Sequence, residues 1–282
     1  LKALRLVAVT GTKGKTTTTF LIEHLLGFPE LPVGLLGSVR YDIGQRSVPS
    51  IRATPASADL WRIFAQMRDE GCHQAVVEVT SYGIEQRRIL GVPFEGAVFT
   101  NLSHDHLDYH GSMEHYFASK ARVFIGNEGR VPQFAVINID DEYGRRLLAM
   151  LPAGVRPLTF CVESASDTSE ADFRFEVGSM NALRSTGRLI TRQGAAYPCV
   201  VPLPGCCTRA HGASSLRVAD PSLCRLRTQP RSYCKSPTDP AWANSGPITY
   251  CVWLRGQSRP PQAPDDALSC FKVRGLCMGH FR

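Results

Sequence analysis

The stretch Val7-Ala8-Val9-Thr10-Gly11-Thr12-Lys13-Gly14-Lys15-Thr16-Thr17 joins an apolar, β-branched run to a helical pattern through a turn with two glycines. A strand, a glycine turn and a helix start, in that order, aim several backbone N–H groups at one point. That geometry suits a phosphate group. Gly11 and Gly14 let the backbone approach such an anion closely. Lys15 has the reach for the β- and γ-phosphates of a nucleotide, and the Thr16 hydroxyl suits Mg²⁺. The loop is a shortened variant of the general phosphate-loop pattern, because Val9 stands where that pattern has its first glycine. Lys13 adds positive charge inside the turn, and Thr12 and Thr17 complete the stretch expected to hold the nucleotide.

Three further strand-like runs end in polar side chains. One ends at Glu78 and continues into Thr80-Ser81-Tyr82-Gly83. A second leads into Asn101-Leu102-Ser103-His104-Asp105-His106-Leu107-Asp108, and a third into Asn138-Ile139-Asp140-Asp141. In open parallel sheets, ligands bind beyond the carboxyl ends of the strands. Each group alone has a plain structural reading: Glu78 as a cap, His106 as a surface histidine, and Asp140-Asp141 as the first turn of a helix rather than a metal site. Gathered on one edge beside a phosphate loop, the groups imply Mg-ATP with a second metal ion.

The elements that must position these residues alternate between strand and helix. Residues 4–9, 74–79, 96–100 and 133–139 read as strands, and residues 15–26, 113–125 and 145–151 as helices. Thr54-Pro55 opens another helix, with Ala58, Ile63, Phe64 and Met67 expected to face the core. The rhythm predicts an α/β fold: a phosphate-loop-type, mostly parallel sheet with helices on both faces. It fades over 155–203, where 172–177 and 187–191 alternate like antiparallel strands at the edge of the sheet.

Taken together, Thr10-Gly11-Thr12-Lys13-Gly14-Lys15-Thr16-Thr17, Glu78-Val79-Thr80-Ser81-Tyr82-Gly83 and Thr100-Asn101-Leu102-Ser103-His104-Asp105-His106-Leu107-Asp108-Tyr109-His110-Gly111 resemble the central domain of the Mur ligases. The last stretch, with Ala53-Thr54-Pro55 and Tyr116-Phe117-Ala118-Ser119-Lys120, resembles the MurE type. Members of that type add the third amino acid to UDP-N-acetylmuramoyl-L-alanyl-D-glutamate. The likeness covers residues 4–205. It implies that the phosphate loop holds ATP, that Thr16 and Glu78 hold one Mg²⁺, and that His106 holds a second with a carbamylated Lys120. It places Asn138 near the adenine, and Thr54, Thr80, Gln86 and Arg88 against the muramoyl dipeptide. Lys15, Lys120, His106 and Glu78 are then the catalytic set. The implied reaction forms an acyl phosphate from the substrate carboxylate and ATP, which the amine of a free amino acid then attacks. Folylpolyglutamate and cyanophycin synthetases share the loop, but the Ala-Thr-Pro and His-Asp-His-Leu-Asp-Tyr-His-Gly segments favour the MurE type. Two departures stand out: Ala53 where many relatives carry Thr, and Thr80 and Tyr82 where Ser and His are usual.

Charge and composition divide the chain at Gly205. Residues 1–205 carry 21 Lys and Arg against 21 Asp and Glu, so the net charge of +7 comes wholly from 206–282. A neutral folded part has no electrostatic footprint for nucleic acid. Seven of the ten cysteines also lie after Gly205, with no CxxC pair, which supports neither a zinc site nor a disulfide module. This tail has no Glu, nine Arg and eight Pro, yet keeps Trp242 and Trp253. It lacks helical or strand periodicity and is expected to be unstructured; its composition is what an out-of-frame reading of a GC-rich message would produce. Domain one is thus expected at 1–205, as an incomplete central domain, with 206–282 unassigned. Without the flanking domains of the resembled family, the chain is expected to bind Mg-ATP but not to complete the reaction. No apolar run reaches the roughly eighteen residues of a membrane span. The first residues lack a signal-peptide cleavage pattern, so a cytoplasmic location is expected.

Overall fold

In β1 (Arg5–Thr10) successive side chains point to opposite faces, and both faces are apolar. Leu6 and Ala8 join one buried cluster, while Val7 and Val9 join another. A strand buried on both sides belongs inside a parallel sheet covered by two helical layers. The computed structural model places it there. It describes residues 4–27, 31–126, 130–162, 171–181 and 184–201, with the backbone of 270–273 and 276–279.

After β1 come α1 (Lys15–Leu26), β2 (Val33–Leu36), β3 (Arg40–Ile43), β4 (Arg46–Pro49), α2 (Ser57–Asp69) and β5 (Gln74–Glu78). Then follow α3 (Ser81–Glu85), β6 (Phe94–Phe99), α4 (Leu107–His110), α5 (Met113–Ile125), β7 (Phe134–Asn138) and α6 (Glu142–Met150). The remaining elements of the main sheet are β8 (Arg156–Val162), β9 (Phe173–Met180), β10 (Ser185–Thr191) and β11 (Ala196–Val201). The strand order is β11-β10-β9-β8-β7-β6-β1-β5-β2-β3-β4. Every pairing from β2 across to β9 is parallel, and both margins are antiparallel.

The expected α/β sheet is therefore present, with two corrections at its margins. The parallel part extends through β8 and β9, beyond the point where the sequence rhythm fades. A second antiparallel margin, β2-β3-β4, lies on the opposite side. Its four-residue strands are too short to display a period, and pairing supplies what local pattern does not.

One face carries α1, whose Ile22 and Leu26 pack with Val7, Val9, Val33, Leu35, Val76 and Val98. The other face holds the larger cluster, to which α2 and α5 contribute Leu60, Ile63, Phe64, Met67, Phe117 and Phe124. Small residues make room for those rings: Ala8, Ala97 and Ala135 lie side by side in register. Ala58 does not face the core as expected; it is exposed, and Leu60 occupies the inward position instead. Asp141 caps α6 as the sequence suggests, its carboxylate accepting from the N–H groups of Tyr143 and Gly144 at 2.9 and 3.2 Å.

Among the described residues no helix is long and apolar enough to cross a membrane. In the tail, β12 (Cys270–Val273) and β13 (Leu276–Gly279) pair antiparallel, where the sequence shows no strand period. The rest of the tail expected to be unstructured lies outside the described residues.

Gly96 tests the packing of this layer. It pairs with Val7 on one side and Phe134 on the other, and a Cβ there would stand 2.1 Å from the Phe134 ring. Strand propensity alone favours valine over glycine, but overpacking at this point outweighs it. Gly96→Val is expected to lower stability by about 1–3 kcal/mol, read as a reduced urea midpoint. An unchanged or raised midpoint would contradict the register described here.

Candidate active site

The carboxyl ends of β5, β1, β6 and β7 stand side by side, so the loops that follow them share one crevice where the connections diverge to opposite sides of β1. The loop after β1 is fastened to the loop after β6. Thr12 N–H donates to the Asn101 carbonyl at 2.8 Å. The Asn101 side chain accepts from Lys13 N–H at 2.9 Å and donates to the Lys13 carbonyl at 3.0 Å. The Thr100 hydroxyl donates to the same carbonyl at 2.7 Å. Asn138, fully buried at the end of β7, donates to the Thr100 carbonyl at 2.9 Å and accepts from Asp140 N–H, so it braces the loop from behind.

Gly11 is required by this closeness and Gly14 by its backbone conformation. Gly11 has φ +148°, and a Cβ on it would lie 1.9 Å from the Thr100 hydroxyl oxygen. Gly14 caps α1 in the left-handed region at φ 81°. No side chain caps α1, and its first turn, with Lys15, Thr16 and Thr17, contains no acid. Its N–H groups and partial positive charge therefore remain for an anion.

Two ammonium groups converge here. Lys15 Nζ donates to the carbonyls of Gly11 and Thr12 at 3.1 and 2.9 Å. Lys120 Nζ, brought inward by α5, donates to the same Gly11 carbonyl at 2.9 Å and lies 4.5 Å from the centre of the Tyr116 ring. Lys120 is 1% exposed. Among the described residues neither lysine has a carboxylate partner. Burial holds Lys120 well below the ordinary lysine range, with the charge of Lys15 adding to the effect. Burial also lowers Lys15. Lys13 is different: it is exposed and paired with Asp105 at 2.9 Å, and that hydrogen bond holds the Asp105 carboxyl below its usual range.

Thr16 and Glu78 meet as expected. The Thr16 hydroxyl donates to Glu78 Oε2 at 3.0 Å, and Glu78 is 2% exposed. Ser38, just beyond β2, donates to the same oxygen through its N–H at 3.0 Å and its hydroxyl at 2.9 Å. The sequence reading missed Ser38, although it too follows a strand at the sheet's carboxyl edge. A carboxylate with hydroxyl neighbours is a hard oxygen set that fits Mg²⁺.

The four expected substrate contacts also come together, bonded to one another. Thr54 is buried; its hydroxyl donates to the Glu78 carbonyl at 2.9 Å and lies 3.1 Å from the Thr80 hydroxyl. Arg88 donates to the Thr54 carbonyl at 2.8 Å and to the Gln86 side-chain oxygen.

His106 stands apart from this set. It caps α4 in the left-handed region, and its ring faces Tyr82 and Tyr116. Among the described residues no group of three or more His, Cys, Asp or Glu is close enough to enclose a metal by itself. Tyr116 was singled out only as part of a motif. It touches Thr12 through its hydroxyl at 3.2 Å, and burial raises its phenol to about 12.

Lys120 gives a test of sign. Its folded pKa is depressed, so between that value and the unfolded value near 10.4 the unfolded chain binds the extra proton. Stability from this group therefore rises with pH across the window. Lys120→Met, in CO₂-free buffer, is expected to be more stable than the parent at pH 7 by on the order of 2 kcal/mol. The difference should shrink as pH approaches 10. Urea unfolding of both proteins at pH 7 and 9.5 measures it, and a less stable variant at pH 7 would refute the assignment of a strained, buried amine.

Comparison with known proteins agrees with this geometry. The Mur ligase middle domain model matches residues 9–207. A UDP-N-acetylmuramoyl-L-alanyl-D-glutamate–2,6-diaminopimelate ligase of Synechococcus elongatus is 42% identical over 204 residues, covering 72% of this chain and 39% of that protein. The enzyme of the same name from Geobacillus kaustophilus is 41% identical over 197 residues, covering 68% and 39%. A solved structure of a ligase with this name superposes with a TM-score of 0.59 at 31% identity, over 71% of this chain and 39% of that one. The chain thus spans about two fifths of the length of these relatives. With the loop, the strand-end carboxylate and the buried lysine in place, the chain belongs to the Mur ligase family through its middle domain.

Proposed function

We propose that this domain is the ATP-binding and phosphoryl-transfer core of a ligase that adds the third amino acid to UDP-N-acetylmuramoyl-L-alanyl-D-glutamate. The observation that carries the reading is the convergence of Lys15 and Lys120 on the Gly11 carbonyl, without a carboxylate partner, beside an uncapped helix start. Lys15 and the helix start leave positive charge for a polyphosphate, and burial leaves the Lys120 amine readily deprotonated beside it.

In this reading residues 11–17 hold the phosphates, and Asn138 braces the loop that meets the adenine. Thr16 and Glu78 hold one Mg²⁺, with Ser38 fixing the carboxylate. The neutral amine of Lys120 adds to CO₂, forming an N–C bond and releasing one proton; the resulting carbamate joins His106 as a ligand of a second Mg²⁺. When bound, the ions neutralise charge that otherwise keeps a carboxylate and a triphosphate apart. Gln86 and Arg88 exchange their bond to one another for the D-glutamyl part of the substrate, Arg88 through its two-pronged guanidinium, and Thr80, positioned by Thr54, adds its hydroxyl. The substrate carboxylate attacks the γ-phosphorus, ADP leaves, and the amine of the incoming amino acid displaces phosphate from the acyl phosphate. A cytoplasmic reaction belongs to this reading, because the substrates it takes are nucleotides and nucleotide-linked.

Calorimetry of the chain with ATP, with and without Mg²⁺, tests the core of this. Magnesium-dependent binding is expected, weakened roughly 100-fold in Lys15→Ala by loss of charge-assisted hydrogen bonds. A folded chain without such binding would sink the proposal. Binding without phosphate release, when the muramoyl dipeptide and diaminopimelate are added to the full-length enzyme, would reduce it to a nucleotide-binding module.

A further inference from the structure

A histidine offered to a metal is ordinarily oriented by a hydrogen bond from its second ring nitrogen. Among the described residues His106 has no such bond. Its nearest carboxylate oxygen, Asp105 Oδ1, is 3.7 Å from Nδ1, and Asp105 is engaged by Lys13 and by the His106 backbone N–H. The residue also stands at φ 53°, a conformation uncommon outside glycine, with 42% of its side chain exposed. Ring packing is what restrains the imidazole. Tyr82 meets it at 5.2 Å between ring centres and 75° between planes, and Tyr116 at 6.2 Å and 85°. Both are the edge-to-face arrangement that aromatic pairs prefer. Tyr82 is itself braced by Tyr109 at 4.4 Å and by His110 at 6.1 Å.

We propose that Tyr82 is a positioning residue for His106, fixing the plane of its imidazole by ring packing in place of a hydrogen bond. Tyr82 lies on α3, four residues beyond Glu78, so it also links the strand end that carries the carboxylate to the loop that carries the histidine. The inference rests on His106 as a metal ligand, and it explains why a bulky ring is accommodated where the resembled family usually has histidine. The hydroxyl is not needed for this role; the ring is.

The test uses the whole chain with histidines labelled at Cε1, the His106 resonance being assigned with His106→Gln. In the parent and in Tyr82→Phe, the His106 signal should hold the same ring-shifted position and broaden at the same Mn²⁺ concentration. In Tyr82→Leu it should move toward the position of an unrestrained histidine and need roughly three- to tenfold more Mn²⁺. Tyr109→Leu, which removes only the brace, should shift it in the same direction by less, and it serves if Tyr82→Leu does not fold. An unmoved signal and unchanged Mn²⁺ requirement in the folded variants would overturn the proposal. Absence of Mn²⁺ broadening in the parent would instead remove His106 from the metal site, while the signal positions would still decide what Tyr82 does.

Discussion

Two lysine side chains, one fully and one partly buried, donating to one backbone carbonyl is an arrangement that a protein core does not favour by itself. Each charge loses hydration, the two repel, and a carbonyl offers only a partial negative charge in return. Most of what surrounds the Gly11 carbonyl is a consequence of holding that arrangement in place. The loop cannot recoil, because Asn101 grips Lys13 by both its N–H and its carbonyl while Thr100 adds a third bond. The grip needs β1 and β6 to be neighbours in parallel register, which in turn needs apolar residues on both faces of β1. Helix α5 must deliver a lysine inward, and the residue one turn earlier, Tyr116, supplies a ring face to the ammonium rather than a carboxylate. A carboxylate there would favour the ammonium form and oppose the downward shift that burial imposes on Lys120.

Other unfavourable features gather on the same edge. The two described non-glycine residues in the left-handed region, Arg87 and His106, follow α3 and precede α4, both beyond the carboxyl ends of strands. Buried His110 has no hydrogen-bond partner for either ring nitrogen among the described residues, and burial lowers its pKa. Strain and unsatisfied polar groups persist where surrounding structure over-determines them. Here the over-determination comes from the apolar layers beneath, in which Leu6, Ala8, Val9, Val77 and Phe99 are fully enclosed. The stable interior and the strained rim are one design viewed from two ends of the same strands.

That division explains what could be read from the sequence. The phosphate loop was legible because its requirements are local: a β-branched run, glycines at 11 and 14, and a helix start without acids. The gathering of Glu78, Asn101 and His106 on one edge was legible because the parallel-sheet rule turns chain order into position. Ser38 was not, since β2 has four residues and leads into a tight antiparallel turn; nothing local marks it as a strand end until it pairs with β5. Lys120 could be placed only by its motif: the helical period does set it on the face of Tyr116, Phe117 and Phe124, but a lysine at such a position ordinarily extends its charge out to solvent. Ala58 failed because it does not fit the helical period: Leu60, Ile63, Phe64 and Met67 share one face, and Ala58, five residues before Ile63, falls on another.

The two halves of the site differ in what an incoming ligand must displace. On the side proposed for phosphate, Lys15 holds only backbone carbonyls, so an anion would replace weak partners with strong ones. On the other side, Thr54, Thr80, Gln86 and Arg88 already satisfy one another, so a carboxylate must trade one set of hydrogen bonds for another with little net gain. Under the proposed function, charge therefore favours filling the phosphate side first. Once it is filled, Glu78 connects the halves directly, since its carboxylate faces Thr16 and its carbonyl accepts from Thr54. A ligand that reorients the Glu78 side chain acts on a residue whose backbone anchors the second pocket, and the rigidity of β5 limits that coupling to the few atoms at its end.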